Sequence, residues 1–265
     1  MLFIQADYAP LIGVIVGVSA LIPVAGAYVG AIVSALLLAL PLLPGDSTLT
    51  LTSAPESAPY IAMTEAVLAA AGISLYRTGS RYRIPGGQRY RLPSHLTVEG
   101  DWSSAAFFLC AGAMSREGIA VDGLSLPTRQ GDSALLPLLR QMGAEVNLSS
   151  GCITVRKGRL RATDIDARPI PDLIPPLSVL AAAAEGGSHI QNARRLRYKE
   201  SDRLQGIAGL LNSLGGCLTV DGDDLLIHGV SHLQGGTVDP MGDHRLAMSA
   251  ALAALSADAP VTVRD

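Results

Sequence analysis

Charge is missing from the opening of this chain: no Asp, Glu, Lys or Arg occurs between Asp7 and Asp46. Cysteine and aromatic residues are scarce throughout, with three Cys, one Trp, three Phe and an aromatic content of 4% over 265 residues. Cys110, Cys152 and Cys217 are odd in number and widely spaced, without a C-x-x-C pair. That excludes a disulfide framework and a paired-cysteine zinc site, and reads as reduced thiols in a cytoplasmic protein. No basic tail offsets the net charge of −3, which excludes general nucleic-acid binding. The length suits two ordinary domains.

By length and hydropathy alone, the uncharged opening reads as a membrane span. Pro10, Pro23 and several glycines interrupt it, and no Lys or Arg flanks it. Membrane association of residues 1–43 is therefore not favoured, and the missing basic n-region excludes a signal peptide. The stretch DYAPLIGVIVGVSALIPVAGAYVGAIV resembles a segment of polytopic permeases of the autoinducer-exporter type. Residues 1–30 are accordingly expected to lie outside the fold of the remainder.

What the rest of the chain has is a repeat. GDWSSAAFFLCAGAM, IPDLIPPLSVLAAAA and GDHRLAMSAALAAL place Asp101, Asp172 and Asp243 at a spacing of 71 residues. Each segment reads as an Asp N-cap followed by a helix apolar on most faces, and such a helix is buried. Pro175 and Pro176 fall in a first turn, where proline is tolerated. One further step of the period reaches Gly30, just before AIVSALLLALPLL. A second helix series runs in phase and stops on Gly72, Gly143 and Gly215. Each of its members is followed by two strand-like runs around a polar turn, as in AEVNLSSGCITV. The unit is helix, strand, helix, hairpin. Repeats of this length predict pseudo-symmetric subdomains with apolar helices inside and sheets outside.

The charged run KESDRL raises a physical question. Lys199 and Arg203 stand at the start of a helix that reads from Leu204 to Leu214, where the macrodipole already favours an anion over a cation. Ser201 or Asp202 is the candidate N-cap. Added cations there become favourable once a phosphate or carboxylate arrives. Arg245 takes the same position in GDHRLAM.

KESDRL, VEGDWSSAAFFL, IPDLIPPL and GDHRLAM together resemble the enolpyruvyl transferase family, in its 5-enolpyruvylshikimate-3-phosphate synthase branch, over residues 31–265. The resemblance implies an inside-out α/β barrel built from βαβαββ units of about 71 residues, here incomplete. Residues 31–100 correspond to the last unit of the family's first domain, and residues 101–265 to most of its second. The implied reaction is enolpyruvyl transfer from phosphoenolpyruvate to the 5-hydroxyl of shikimate 3-phosphate with release of phosphate, without a metal or organic cofactor. By position in the motifs, Arg203 and Arg245 are assigned to phosphoenolpyruvate, and Ser57, Asp172 and Lys199 to shikimate 3-phosphate. Asp172 is the implied base at the hydroxyl, and Glu200 the group acting at C3. The family implies a cytoplasmic monomer with small-molecule substrates and no nucleic-acid partner.

Blander readings stand beside these. Asp101 and Asp243 read mainly as caps, Trp102 as core, His244 as a packed neighbour of Arg245, and Arg194, Arg195 and Arg197 as a solvated strand edge. Tyr60 accompanies Ser57 in ESAPYIAMT. The family's N-terminal phosphate clamp and C-terminal lysine segment have no counterpart here, and its Ser-Ser-Gln ligands are replaced by Val29, Gly30 and Ala31. The expectation is a chain impaired as a synthase on its own. The alternatives are a transferase acting on UDP-N-acetylglucosamine and a non-catalytic fusion fragment.

Overall fold

The computed structural model describes residues 2–5, 25–52, 58–149 and 151–264, with side chains from residue 31 onward. The chain divides into two compact units, Met1–Val98 with Arg129–Gly131, and Glu99–Thr128 with Asp132–Asp265.

In the first unit, β1 (Leu2–Gln5) precedes α1 (Ala25–Ala39), β2 (Ser47–Leu51), α2 (Ala58–Ala70), β3 (Tyr76–Thr78) and β4 (Arg81–Ile84). The strands order β1-β2-β4-β3, every pair antiparallel. Alternation sorts the strands by face. Leu49, Leu51, Tyr82 and Ile84 point into a core with Val33 and Leu37 of α1 and Ile61 and Leu68 of α2. Of the stretch set apart in the sequence, Leu2–Gln5 hydrogen-bonds along β2.

The second unit carries the repeat. It runs α3 (Trp102–Met114), β5 (Ile119–Val121), α4 (Leu135–Gln141), β6 (Glu145–Ser149) and β7 (Cys152–Arg156). Next come β8 (Ile165–Asp166), α5 (Ile174–Ala182), β9 (Gly187–Gln191), α6 (Arg203–Ser213), β10 (Cys217–Asp221) and β11 (Asp224–His228). Last are β12 (Gly236–Val238), α7 (His244–Ala253) and β13 (Val261–Val263). From β8 to β11 the chain writes out βαβαββ in full, with sheet order β10-β11-β9-β8 and β8 parallel to β9. The first unit's sheet has the same order, but β1 runs antiparallel where β8 runs parallel.

Helix α5 is buried along its whole length, the consequence of a run with no polar face. Helices α3, α5 and α7 pack against one another, and α6 lies against α5 and α7. The three helices expected from the 71-residue spacing are thus neighbours in the core, and Trp102 is fully buried among them. Gly72, Gly143 and Gly215 adopt φ of +76°, +92° and +81°. This left-handed conformation lets each second-series helix stop and the hairpin begin.

Two local expectations are corrected. Arg194–Tyr198 forms a 3-10 turn and not a strand edge, and Arg197 pairs with Asp202 and Asp223. Asp172 does not cap α5: it lies in a 3-10 turn, Pro171–Leu173, and α5 begins at Ile174 without a side-chain cap. A cap at Asp172 would accept from the backbone N–H groups of residues 174 and 175; Pro175 has none, and the Ile174 N–H donates instead to the carbonyl of Pro171. Among the described residues, no helix is long and apolar enough to cross a membrane.

Candidate functional site

With the Ile174 N–H given to Pro171 and none on Pro175, the Asp172 carboxylate is available for cations. Lys199 Nζ lies 3.1 Å from its Oδ1 and Arg203 Nη1 donates to the same oxygen at 3.0 Å. Arg245 Nε stands at 3.6 Å. Burial opposes the charge, but Lys199, Arg245 and Arg203 hold the Asp172 carboxyl below the usual carboxylate range. It is ionised at neutral pH, the state a base requires.

Arg203 is the hub of the cluster and is wholly buried. Its Nε donates to Asp243 Oδ2 at 2.7 Å, Nη2 to Asp243 Oδ1 at 3.2 Å and also to Glu200, and Nη1 to Asp172. Four of its five N–H groups are therefore committed to carboxylates. The position follows from the local fold. Asp202 caps α6 by accepting from Gln205 N at 3.1 Å, which makes Arg203 the first helical residue. At Gly206, one turn on, an added Cβ would stand 2.5 Å from Leu246 Cδ1. This close approach brings α6 against α7, and so Arg203 against Asp243.

Asp243 does two things. It caps α7 by accepting from Arg245 N at 2.9 Å, and it takes the Ser201 hydroxyl at 3.0 Å as well as Arg203. Burial again works against ionisation, and Arg203, the Arg245 amide and Ser201 hold its carboxyl low. Arg245 is aimed by α3: its Nη2 donates to Ser103 Oγ at 2.9 Å and its Nη1 to the carbonyl of Asp172 at 3.3 Å. Ser103 Oγ in turn donates to Asp101 Oδ1 at 2.9 Å, and Asp101 caps α3 through Ser103 N and Ser104 N.

Asp172, Lys199, Glu200, Arg203 and Arg245, spread over 74 positions, therefore meet in one charged cluster. Their exposure is graded. Arg203 has 1% of its side chain exposed, Arg245 12%, Lys199 22% and Glu200 52%. Ser57 lies outside the described residues, and Tyr60 stands exposed on α2 of the first unit. Among the described residues no group of three or more His, Cys, Asp or Glu could hold a metal ion.

Three residues that bear on the cluster escape a reading of the sequence alone. Ser103 and Arg245 hold the same place in their repeats, two residues after the Asp cap, and that phase is the signal by which Ser103 can be found. Asp243 reads as a cap because it is one, and its second role needs α6 to lie beside α7. Asp132 lies in the 3-10 turn Gly131–Ala134 that leads into α4. It is pushed up to about 6 by burial first and then by the charge of Asp172. RQGDSALL carries no mark that sets it apart from an ordinary turn.

The likeness to known proteins follows the same residues. The family model described as EPSP synthase (3-phosphoshikimate 1-carboxyvinyltransferase) matches residues 5–265, a stretch that takes in most of the segment set apart in the sequence. A 3-phosphoshikimate 1-carboxyvinyltransferase of Methanosarcina acetivorans is 42% identical over 232 residues, covering 85% of this chain and 53% of that protein. One from Brachyspira hyodysenteriae is 41% identical over 235 residues, covering 88% and 56%. The chain thus spans about half the length of the curated relatives it matches. Among solved structures, EPSP synthase of Acinetobacter baumannii aligns with a TM-score of 0.73 at 28% identity, over 88% of this chain and 55% of that one. An enolpyruvyl transferase of Streptomyces tendae shares the fold with a TM-score of 0.71 at 24% identity, over 89% and 55%. The repeat, the α/β architecture and these matches lead to one conclusion: the chain belongs to the EPSP synthase family.

Proposed function

We propose that this chain serves the transfer of the enolpyruvyl group from phosphoenolpyruvate to the 5-hydroxyl of shikimate 3-phosphate, releasing phosphate. The observation that carries the reading is the convergence of Asp172, Lys199, Glu200, Arg203 and Arg245 on one cluster at the starts of α6 and α7. Two helix N-termini and three cations make an environment suited to two anionic substrates.

In this reading Lys199 holds the shikimate phosphate. Arg245 holds phosphoenolpyruvate, with Arg203 adding its one uncommitted N–H. The ionised Asp172 takes the proton of the attacking hydroxyl, and the new C–O bond forms at C2 of phosphoenolpyruvate while C3 is protonated. Glu200, half exposed, serves C3: after taking a proton from solvent its carboxyl delivers that proton in the addition, and the resulting carboxylate receives one back as phosphate leaves. Fixed cations stabilise the charge that moves toward the phosphate oxygen in the second step.

Calorimetric titration of the purified chain with shikimate 3-phosphate tests the reading. Binding is expected for the wild type and at least tenfold weaker for Lys199→Ala, with no binding of UDP-N-acetylglucosamine. Phosphate release that requires both substrates then tests the transfer itself. Binding of the UDP-sugar in place of shikimate 3-phosphate would assign the chain to the sister transferase.

A further inference from the structure

The stop glycines align two helix–hairpin junctions residue by residue. Counted from Gly72 and Gly215, Ala69 and Asn212 each stand three positions before, and Leu75 and Leu218 three after. The backbone at the two junctions is bonded alike. Gly72 N–H donates to the Ala69 carbonyl at 3.1 Å and Ile73 N–H to that of Leu68 at 2.9 Å. Their counterparts are Gly215 N–H to Asn212 at 3.0 Å and Gly216 N–H to Leu211 at 2.8 Å. A later segment returns to each junction in the same way, Arg91 N–H to the Ala71 carbonyl at 2.8 Å and Gln234 N–H to that of Leu214 at 2.7 Å.

The side chains differ. In the second unit the Asn212 carboxamide reaches from α6 to the edge strand β10. Its Oδ1 accepts from Leu218 N–H at 2.8 Å, and its Nδ2 donates to the Leu218 carbonyl at 2.9 Å. Ala69 of α2 has no polar side-chain atom to offer in the first unit. There the hairpin register pairs Tyr76 with Arg83 and Thr78 with Arg81, which turns the N–H and C=O of Leu75 toward the free edge of β3. Among the described residues, no hydrogen bond reaches either group. A cavity of about 280 Å³ opens at this place, and Glu65, Ala69, Ile73, Leu75, Arg77 and Tyr82 line it. One wall is fixed: Glu65 Oε1 accepts from the hydroxyl of the fully buried Tyr82 at 2.6 Å and from Arg77 Nη1 at 3.0 Å.

We propose that this cavity binds a small molecule carrying a primary carboxamide, which takes against Leu75 the place that Asn212 takes against Leu218. The chemistry follows from the pair of groups presented. One N–H and one C=O of a single residue, side by side, are both satisfied by a planar group with an acceptor and a donor on one edge. A carboxylate offers acceptors alone and sets an oxygen against the Leu75 carbonyl. Ala69, Ile73 and Leu75 give the rest of the ligand an apolar lining, which favours an amide borne on a hydrophobic ring. Every residue of the site belongs to the first unit, and the inference is independent of the reading of the charged cluster.

Benzamide is the probe, and benzoate is its isostere without N–H donors. In an NMR titration of the isotope-labelled full chain, benzamide should shift the Leu75 backbone amide saturably. Benzoate should bind roughly tenfold more weakly, or not at all. Amide hydrogen exchange gives a second reading: Leu218 N–H should be protected in the free protein, and Leu75 N–H only with benzamide present. Ala69→Asn, at an exposed helical position, supplies the carboxamide from α2 itself. It should protect Leu75 without ligand and weaken benzamide binding by about tenfold or more. Absence of a saturable shift at Leu75 overturns the inference, as does equal binding of benzoate. Benzamide binding undiminished in Ala69→Asn overturns it as well. Should Ala69→Asn not fold, the comparison of benzamide with benzoate at Leu75 decides the matter.

Discussion

Replacing Arg203 by Met keeps most of the side-chain volume and removes the charge at the centre of the cluster. Four N–H···O contacts to Asp243, Asp172 and Glu200 are lost together. Charge-assisted bonds contribute roughly 1.5–3 kcal/mol each, but these share one cation and do not add. The governing loss is that Asp243, with no exposed side-chain surface and Arg203 as its cation, becomes a buried carboxylate without a counter-charge. Asp172 retains Lys199 and Arg245. Breaking a buried pair in this way costs about 3–5 kcal/mol, which for a chain of this size corresponds to a fall in Tm of roughly 6–20 °C.

The pH dependence separates this cause from simple loss of packing. In the wild type the Asp243 carboxyl lies below its ordinary value, so its contribution is present above the unfolded value near about 4 and is lost as pH falls through the folded one. In Arg203→Met the same carboxyl is raised, and acidification from pH 7 toward about 4 protonates the folded variant first. The gap between the two proteins should therefore be widest at neutral pH and narrow steadily toward the acid side. Chemical denaturation across that range is the assay. A loss under about 1 kcal/mol at neutral pH, or one that does not change with pH, would refute the reasoning.

Other perturbations follow from single contacts. Gly112→Ala places a Cβ 2.6 Å from the carbonyl oxygen of Val155; backbone cannot yield as a side chain does, and thermal denaturation should show a loss of about 1–3 kcal/mol. Asp101→Ala removes the cap of α3 and should lower stability by about 0.5–2 kcal/mol, with Asp101→Asn recovering most of it. Asp172→Asn takes away the carboxylate shared by Lys199, Arg203 and Arg245. It should bind sulfate several-fold more tightly by calorimetry, while any phosphate release supported by the wild type is lost.

The repeat and its punctuation were legible in the chain itself, because they rest on local physics. An Asp before an apolar run caps a helix, and Asp101 and Asp243 do so. A glycine after such a run supplies the left-handed turn, as Gly72, Gly143 and Gly215 do. A run with no polar face must be buried, and α5 is. The charges of KESDRL and GDHRLAM marked out the site because cations at a helix N-terminus are locally unfavourable, and a ligand or a carboxylate has to account for them. Which carboxylate meets which cation was decided by packing. Asp243 reaches Arg203 because Gly206 lets α6 lie close against α7. Asp172 turns to Lys199 and the arginines because Pro175 has no amide to cap and that of Ile174 goes to the Pro171 carbonyl. Ser103 orients Arg245 across 142 positions of sequence, and Asp132, in an ordinary-looking turn, feels the charge of Asp172. The fields that set these protonation states fall off over ångströms of space, and no periodicity along the chain records such distances.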